Sequence, residues 1–377
     1  MSIFVTLHRY AALAVGIFWL LQALAGIILV FRWELDDAAV AGTRHPVEIA
    51  SIEQRIDVLE AENTGWTAAS LWTSATDRNR FDIALAEPST QVERVWRVDG
   101  HGTILRATDT AMPLRPGTFY DTITKFHTSL FLGDAGALII GVSGLILCIN
   151  ILLGLKIAWV AKGQWRQSLS IATKGNLRRK LWQWHRTFGL WLALPALVLL
   201  TSGTALTQSD AIAELLDVQS GPPTVASQNG DPKNDDINQV RLSNVVISAL
   251  FRFPAATLSG VIFPTRDKPW FEIRLRQQDE PGRKFGKTTV YIDAGTGRQI
   301  VATDAVRSPL ANRFVNFLYP LHTGQAFLTF GRAAALLIGL WLVAMILLGW
   351  TMFARRNRSK AEPRPSVAPF SDERNIQ

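Results

Sequence analysis

Four of the six histidines in this 377-residue chain fall in motifs that occur twice. His8 and His185 stand at the start of LHRYAALAVGIFWLLQALAG (7–26) and WHRTFGLWLALPALVLLTSG (184–203). His127 and His322 stand near the start of FHTSLFLGDAGALIIGVSGLILCINILLG (126–154) and LHTGQAFLTFGRAAALLIGLWLVAMILLG (321–349). Ionisable side chains beside hydrocarbon are costly and mark function or snorkel from helix ends. A neutral imidazole is the commonest metal ligand, and two of them can hold a haem iron from opposite faces. The histidines therefore pair as His8 with His185 and His127 with His322, each pair a candidate set of axial ligands. Taken singly, each reads as an interfacial anchor or a satisfied core residue; the duplication turns the reading towards ligation. Arg9 and Arg186, next to two of them, read either as contacts for haem propionates through charge-assisted bonds or as positive anchors at the membrane surface. Gly26, Gly203, Gly144 and Gly339 read as packing glycines, Trp182, Trp184 and Trp191 as an interfacial belt, and His45 and His101 as ordinary surface histidines.

The elements that must position these residues are apolar runs at 11–31, 136–159, 187–207 and 331–353, in a chain that is 48% apolar. Each approaches or exceeds the roughly 20 residues that cross about 30 Å of hydrocarbon. The first run is too long for a signal-peptide core and has few positive charges before it. The chain is therefore expected to be a membrane α-helical protein with four transmembrane helices. At an offset of 177, His8, Arg9, Leu13 and Gly26 align with His185, Arg186, Leu190 and Gly203; at an offset of 195, His127, Thr128, Gly136, Gly144 and Gly154 align with His322, Thr323, Gly331, Gly339 and Gly349. Two units with the same starting direction form a parallel repeat about an axis along the membrane normal.

Between the spans of each unit, VWRVDGHGTILRA (95–107) and VYIDAGTGRQIVA (290–302) read as hairpins, and 52–62 and 240–251 have helical periodicity. The expected organisation is a first helix (1–32), an outside α+β module (33–118), an amphipathic lead-in and second helix (119–160), and a basic inside loop (161–183). A third helix (184–208), a linker and second outside module (209–310), a lead-in and fourth helix (311–355) and an inside tail (356–377) follow. Residues 219–236 read as a flexible linker. The net charge of +8 is concentrated beside the spans, in 156–186 and in ARRNRSK after the fourth run. It is a topology signal that puts both termini in the cytoplasm, and no nucleic-acid footprint.

Cys148 is the only cysteine, so an intrachain disulfide is excluded, and no C-x-x-C-H occurs for covalent haem attachment. No H-E-x-x-H, P-loop or G-x-S-x-G appears, which leaves zinc proteolysis, nucleotide-driven transport and serine hydrolysis without a site.

With LHRYAAL, FHTSLFLGDAG, WHRTFGLWL, LHTG and TTVYIDAGTGRQI (288–300) in this order, the chain resembles the PepSY-associated transmembrane family, also called iron-regulated membrane proteins, over nearly its whole length. Within it, the chain is similar to bacterial inner-membrane ferric-siderophore reductases acting on ferrioxamine. That resemblance implies two non-covalently bound haem b groups, two periplasmic PepSY-like modules, and reduction of a ferric siderophore, a ferrioxamine-like hydroxamate, in the periplasm. The electron donor would be a quinol or a cytosolic reductase. A non-enzymatic sensor or scaffold whose modules bind a peptide, and a permease for iron or its chelate, are the alternatives.

Overall fold

The computed structural model describes residues 2–74, 78–87, 92–160, 163–171, 173–218, 240–282 and 284–361. The linker expected at 219–236 and residues 362–377 of the expected tail lie outside the described residues.

The chain opens with helix α1 (Ile3–Leu29) and a short α2 (Arg32–Ala38), then α3 (Ile49–Glu62) and strands β1 (Thr67–Thr73), β2 (Arg80–Ala86), β3 (Glu93–Asp99) and β4 (Ile104–Asp109). Helices α4 (Phe119–Ser129), α5 (Gly133–Ala158) and α6 (Trp165–Ser168) lead to α7 (Leu177–Leu206) and α8 (Ser209–Leu215). The second half repeats the order with α9 (Leu242–Arg252), β5 (Thr257–Ile262), β6 (Trp270–Arg276), β7 (Thr288–Asp293), β8 (Gln299–Thr303), α10 (Leu310–His322) and α11 (Leu328–Ala361).

Four helices, α1, α5, α7 and α11, are long and apolar enough to cross a membrane. At about 1.5 Å per residue even the 26-residue α5 spans about 39 Å, more than the hydrocarbon core. They form a ring in which α1 touches α5 and α11, and α7 touches the same two. The two repeats thus face each other across the bundle. Outward faces carry exposed Ile17, Leu138, Leu194 and Leu337, as lipid contact requires. The third span begins seven residues before the expected 184, because the Asn176 side chain accepts a 2.9 Å hydrogen bond from the Arg179 amide and caps the helix at Leu177. His185 is consequently held within the helix, two turns past its start, and the expected basic loop 161–183 gives up its last seven residues to it.

The two α+β modules expected between the spans are one domain. Their strands join into a single antiparallel sheet of order β4-β3-β2-β1-β5-β6-β7-β8, sealed where Ser70, Leu71 and Trp72 pair with Ile262, Val261 and Gly260. One face carries the alternating apolar residues Phe81, Ile83, Leu85, Phe271, Ile273 and Leu275 against Ile52, Ile56, Leu59, Val245, Val246 and Ala249 of α3 and α9, forming a continuous core. Each helix has only one apolar stripe, and a sheet formed by both repeats lets the two stripes bury each other's flank.

The opposite face is polar and is tied to α2. Arg80, 1% exposed, donates to Asp37 Oδ1 and to the carbonyls of Asp37 and Val40, while Arg97 and Arg106 grip Asp36. Burial works to raise the Asp36 pKa, but Arg106 and Arg97 hold the carboxylate below its usual range. Glu34 on α2 makes a bidentate pair with Arg332 of α11 (2.6 Å for both contacts) and a 3.0 Å pair with Lys284 of the β6–β7 loop, fastening helix bundle to sheet.

Candidate metal centres

At the end of the bundle away from the sheet, His8 of α1 and His185 of α7 face each other with ring centroids 6.1 Å apart and planes at 65°. At the sheet end, His127 in the last turn of α4 and His322 at the end of α10 face each other at 6.3 Å and 22°. An imidazole nitrogen sits about 1 Å from its ring centroid, so two imidazoles bound at about 2 Å to one ion place their centroids about 6 Å apart. Both pairs have that spacing.

Each ring rests on a helix of its own repeat, where a glycine occupies the contact. A Cβ built on Gly154 would lie 3.1 Å from His8, on Gly349 3.8 Å from His185, on Gly26 3.3 Å from His127 and on Gly203 2.5 Å from His322. One turn before each glycine lies a backbone carbonyl. The Asn150 carbonyl accepts from His8 Nδ1 and the Leu199 carbonyl accepts from His322 Nδ1, both at 2.9 Å. The repeat-equivalent carbonyls of Gln22 and Met345 face His127 and His185, although there the hydrogen-bond geometry does not close and both Nδ1 atoms are left without a partner among the described residues. A carbonyl can only accept, so Nδ1 carries the hydrogen in the two closed cases and Nε2 is left with its lone pair. Such an outer hydrogen bond fixes ring orientation and raises ligand basicity. The four glycines are thus more than helix spacers: by omitting a Cβ at position i+4 they give the imidazole access to the carbonyl at position i. Gly144 and Gly339 have the plainer role expected of them, admitting Thr204 and Ile27.

The eighteen residues from His8 to Gly26, and from His185 to Gly203, make five full turns of 3.6 residues, so both centres lie on the same inward face, about 27 Å apart along the axis. Among the described residues no group of three or more His, Cys, Asp or Glu converges. Two facing imidazoles without further side-chain ligands suit a metal whose equatorial ligands arrive with it, as in haem, rather than a closed structural zinc site. The far-side pair also lines a cavity of about 400 Å³ with Leu13, Leu147, Leu181 and Met345 as apolar wall and Arg9, Arg178, Arg186, Arg355 and Arg356 as basic rim. Haem would fit these residues: both pairs have the ligand spacing, His8 and His322 have their tautomer set by carbonyls, and the far-side pair adds an apolar cavity whose basic rim could face carboxylates.

Arg186 itself is engaged by the protein. It donates to Ser168 Oγ at 2.9 Å and to the Ala158 carbonyl at the end of α5, and it lies over Trp182. These contacts favour the anchoring role; Arg9 stacks over Tyr10 while lining the same cavity. His45 and His101, expected to be ordinary surface residues, stack at 4.6 Å, and His45 Nδ1 donates to Asp99 Oδ2 at 2.7 Å. Nothing in their sequence neighbourhood signals this, because the pairing brings together residues from separate loops.

A second pocket, of about 150 Å³, opens between the polar sheet face and the first turn of α4, with Trp33, Trp72, Phe285, Tyr120 and Asp121 among its walls. Trp72 lies flat there because its cross-strand partner is Gly260, where a Cβ would come within 2.4 Å of the indole. Asp121 is six residues from His127, about 9 Å along the helix. Sequence reasoning missed this pocket, since its walls come from segments far apart in the chain.

The profile described as PepSY-associated TM region matches residues 5–356, and the chain belongs to that family. No curated protein matches the chain.

Proposed function

We propose that the chain is an inner-membrane di-haem b oxidoreductase that carries electrons from a cytosolic or quinol donor to a ferric siderophore in the periplasm, releasing Fe(II). The observation that carries this reading is the presence of two facing imidazole pairs at metal-bridging spacing, stacked along one inward face of a membrane-spanning bundle. Haem, when bound, supplies reversible one-electron exchange at low cost in reorganisation. His8 with His185 and His127 with His322 would hold the two irons, the carbonyls of Asn150 and Leu199 hold the Nδ1 protons, and the apolar walls exclude water. Arg9, Arg178, Arg355 and Arg356 would balance carboxylates at the far-side mouth. By the positive-inside rule that basic mouth is cytoplasmic and the sheet domain periplasmic.

At the sheet end, Tyr120 and Asp121 open α4 on the pocket beneath the sheet, and the chelate would dock there, close to His127. Hydroxamates and similar hard-oxygen chelators hold Fe(II) far less tightly than Fe(III), so one electron is enough to release the metal. The test is a reduced-minus-oxidised spectrum of the purified protein with haem quantification. Two haems per chain are expected, with His127→Ala and His322→Ala each removing one and sparing the other. Colourless protein with full helicity would overturn the reading.

A further inference from the structure

Gln22 and Asn150 stand in equivalent places at the two centres. Gln22 precedes Gly26 by one turn of α1, and Asn150 precedes Gly154 by one turn of α5, so each shares a helix face with a glycine that seats an imidazole. Each supplies the backbone carbonyl that faces that imidazole. Cβ atoms tilt towards the helix N-terminus, and α1 and α5 run in opposite directions. Both carboxamides therefore lean from their own histidine into the space between the two centres.

Among the described residues, Gln22 Oε1 and Nε2 and Asn150 Oδ1 are buried without a hydrogen-bond partner, and Asn150 is 6% exposed. Asn150 lines the far-side cavity together with His8 and His185. An unpaired amide at this depth is costly, and packing does not demand it, because the other repeat fills the same two positions with Leu199 and Met345. One repeat thus carries an amide with unpaired polar atoms at each centre, and the other has no amide at these two positions.

We propose that Gln22 and Asn150 are tuning residues, each holding an amide with unpaired polar atoms beside its neighbouring iron centre and so setting that centre's reduction potential. In a low-dielectric interior a fixed dipole acts strongly on the energy of adding an electron. The proposal rests on the di-haem reading above and adds to it the groups that make two symmetry-related centres unequal.

The experiment exchanges each residue for its counterpart: Gln22→Leu and Asn150→Met, with Leu199→Gln and Met345→Asn as the reverse exchange. Full-length protein in detergent is titrated potentiometrically and followed by absorbance, with His127→Ala identifying the far-side centre. Gln22→Leu and Leu199→Gln should move only the sheet-side midpoint, and Asn150→Met and Met345→Asn only the far-side one, each with both haems retained. Should a loss variant fail to assemble, its reverse exchange decides by the same criterion. Haem-replete variants with unmoved midpoints would overturn this inference alone, whereas wild-type protein without haem would overturn the function it rests on.

Discussion

Gly203 and His322 are in such close contact that a methyl group on the glycine would stand 2.5 Å from ring atom Cε1 and 2.8 Å from Nδ1. No rotation of the ring relieves this while Nδ1 keeps its bond to the Leu199 carbonyl. The equivalent distances grade upward through Gly154 (3.1 Å) and Gly26 (3.3 Å) to Gly349 (3.8 Å), an ordinary van der Waals contact. On the proposed di-haem reading, Gly203→Ala should therefore displace His322 and lose most of one haem equivalent, Gly154→Ala and Gly26→Ala should weaken one centre each, and Gly349→Ala should keep both. Haem-to-protein ratios from absorbance give the ranking. Equal loss from all four would mean that the glycines serve helix packing and not the rings.

The two pairs differ in ring orientation, 65° for His8 with His185 and 22° for His127 with His322. In a ferric bis-imidazole centre, parallel ring planes lift the near-degeneracy of the iron orbitals and give a rhombic low-spin signal. Steeply crossed planes leave it and give a strongly anisotropic one. If the two pairs hold haem as proposed, electron paramagnetic resonance of the oxidised protein should show both kinds. His8→Ala should abolish the strongly anisotropic signal and His127→Ala the rhombic one.

The four spans and the histidine pairs were legible because they depend on local composition and on repetition at a fixed offset. His8 matched to His185 needs no three-dimensional information beyond the twofold that the repeat implies. The fusion of the two modules was not legible, since the β1–β5 seam is a contact between Leu71 and Val261 that no local pattern announces. The cradles were half legible: the repeat exposes Gly26 and Gly203 as equivalent, but only the fold shows that an imidazole from another helix sits on each. The early start of α7 had a signal in the sequence, Asn176 before a helix-forming run, that the apolar run at 187–207 overshadowed.

Arg80 and Asp37 form a buried pair, 1% and 6% exposed, at the junction of α2 and the sheet. Removing one partner leaves a charge in a place built to exclude water, which costs about 3–5 kcal/mol. Asp37→Ala should accordingly lower the thermal midpoint of the sheet domain markedly and open β2 to proteolysis. Asp57→Ala, on the exposed face of α3, should have little effect. A silent Asp37→Ala would show that Arg80 is satisfied by its carbonyl partners alone.

Glu34 links sheet to bundle through Arg332 and Lys284, and its ionisation gives that link a pH dependence. Burial acts to raise its pKa, but the hydrogen bonds from Arg332 and Lys284 prevail and lower it from 4.5 to about 2. The folded state thus binds the proton less readily than the unfolded chain, so the stabilisation is complete above about pH 4.5, declines as pH falls, and is gone below about 2. The Glu34 side chain is 36% exposed, so solvent screens the pair and its worth at neutral pH is about 1 kcal/mol or less. Glu34→Gln should lower the thermal midpoint at pH 7, with the difference from wild type shrinking between pH 4.5 and 2. Thermal scans of both proteins across that range measure it, and a difference that stayed constant down to pH 2 would show that the carboxylate's charge is not what holds the two parts together.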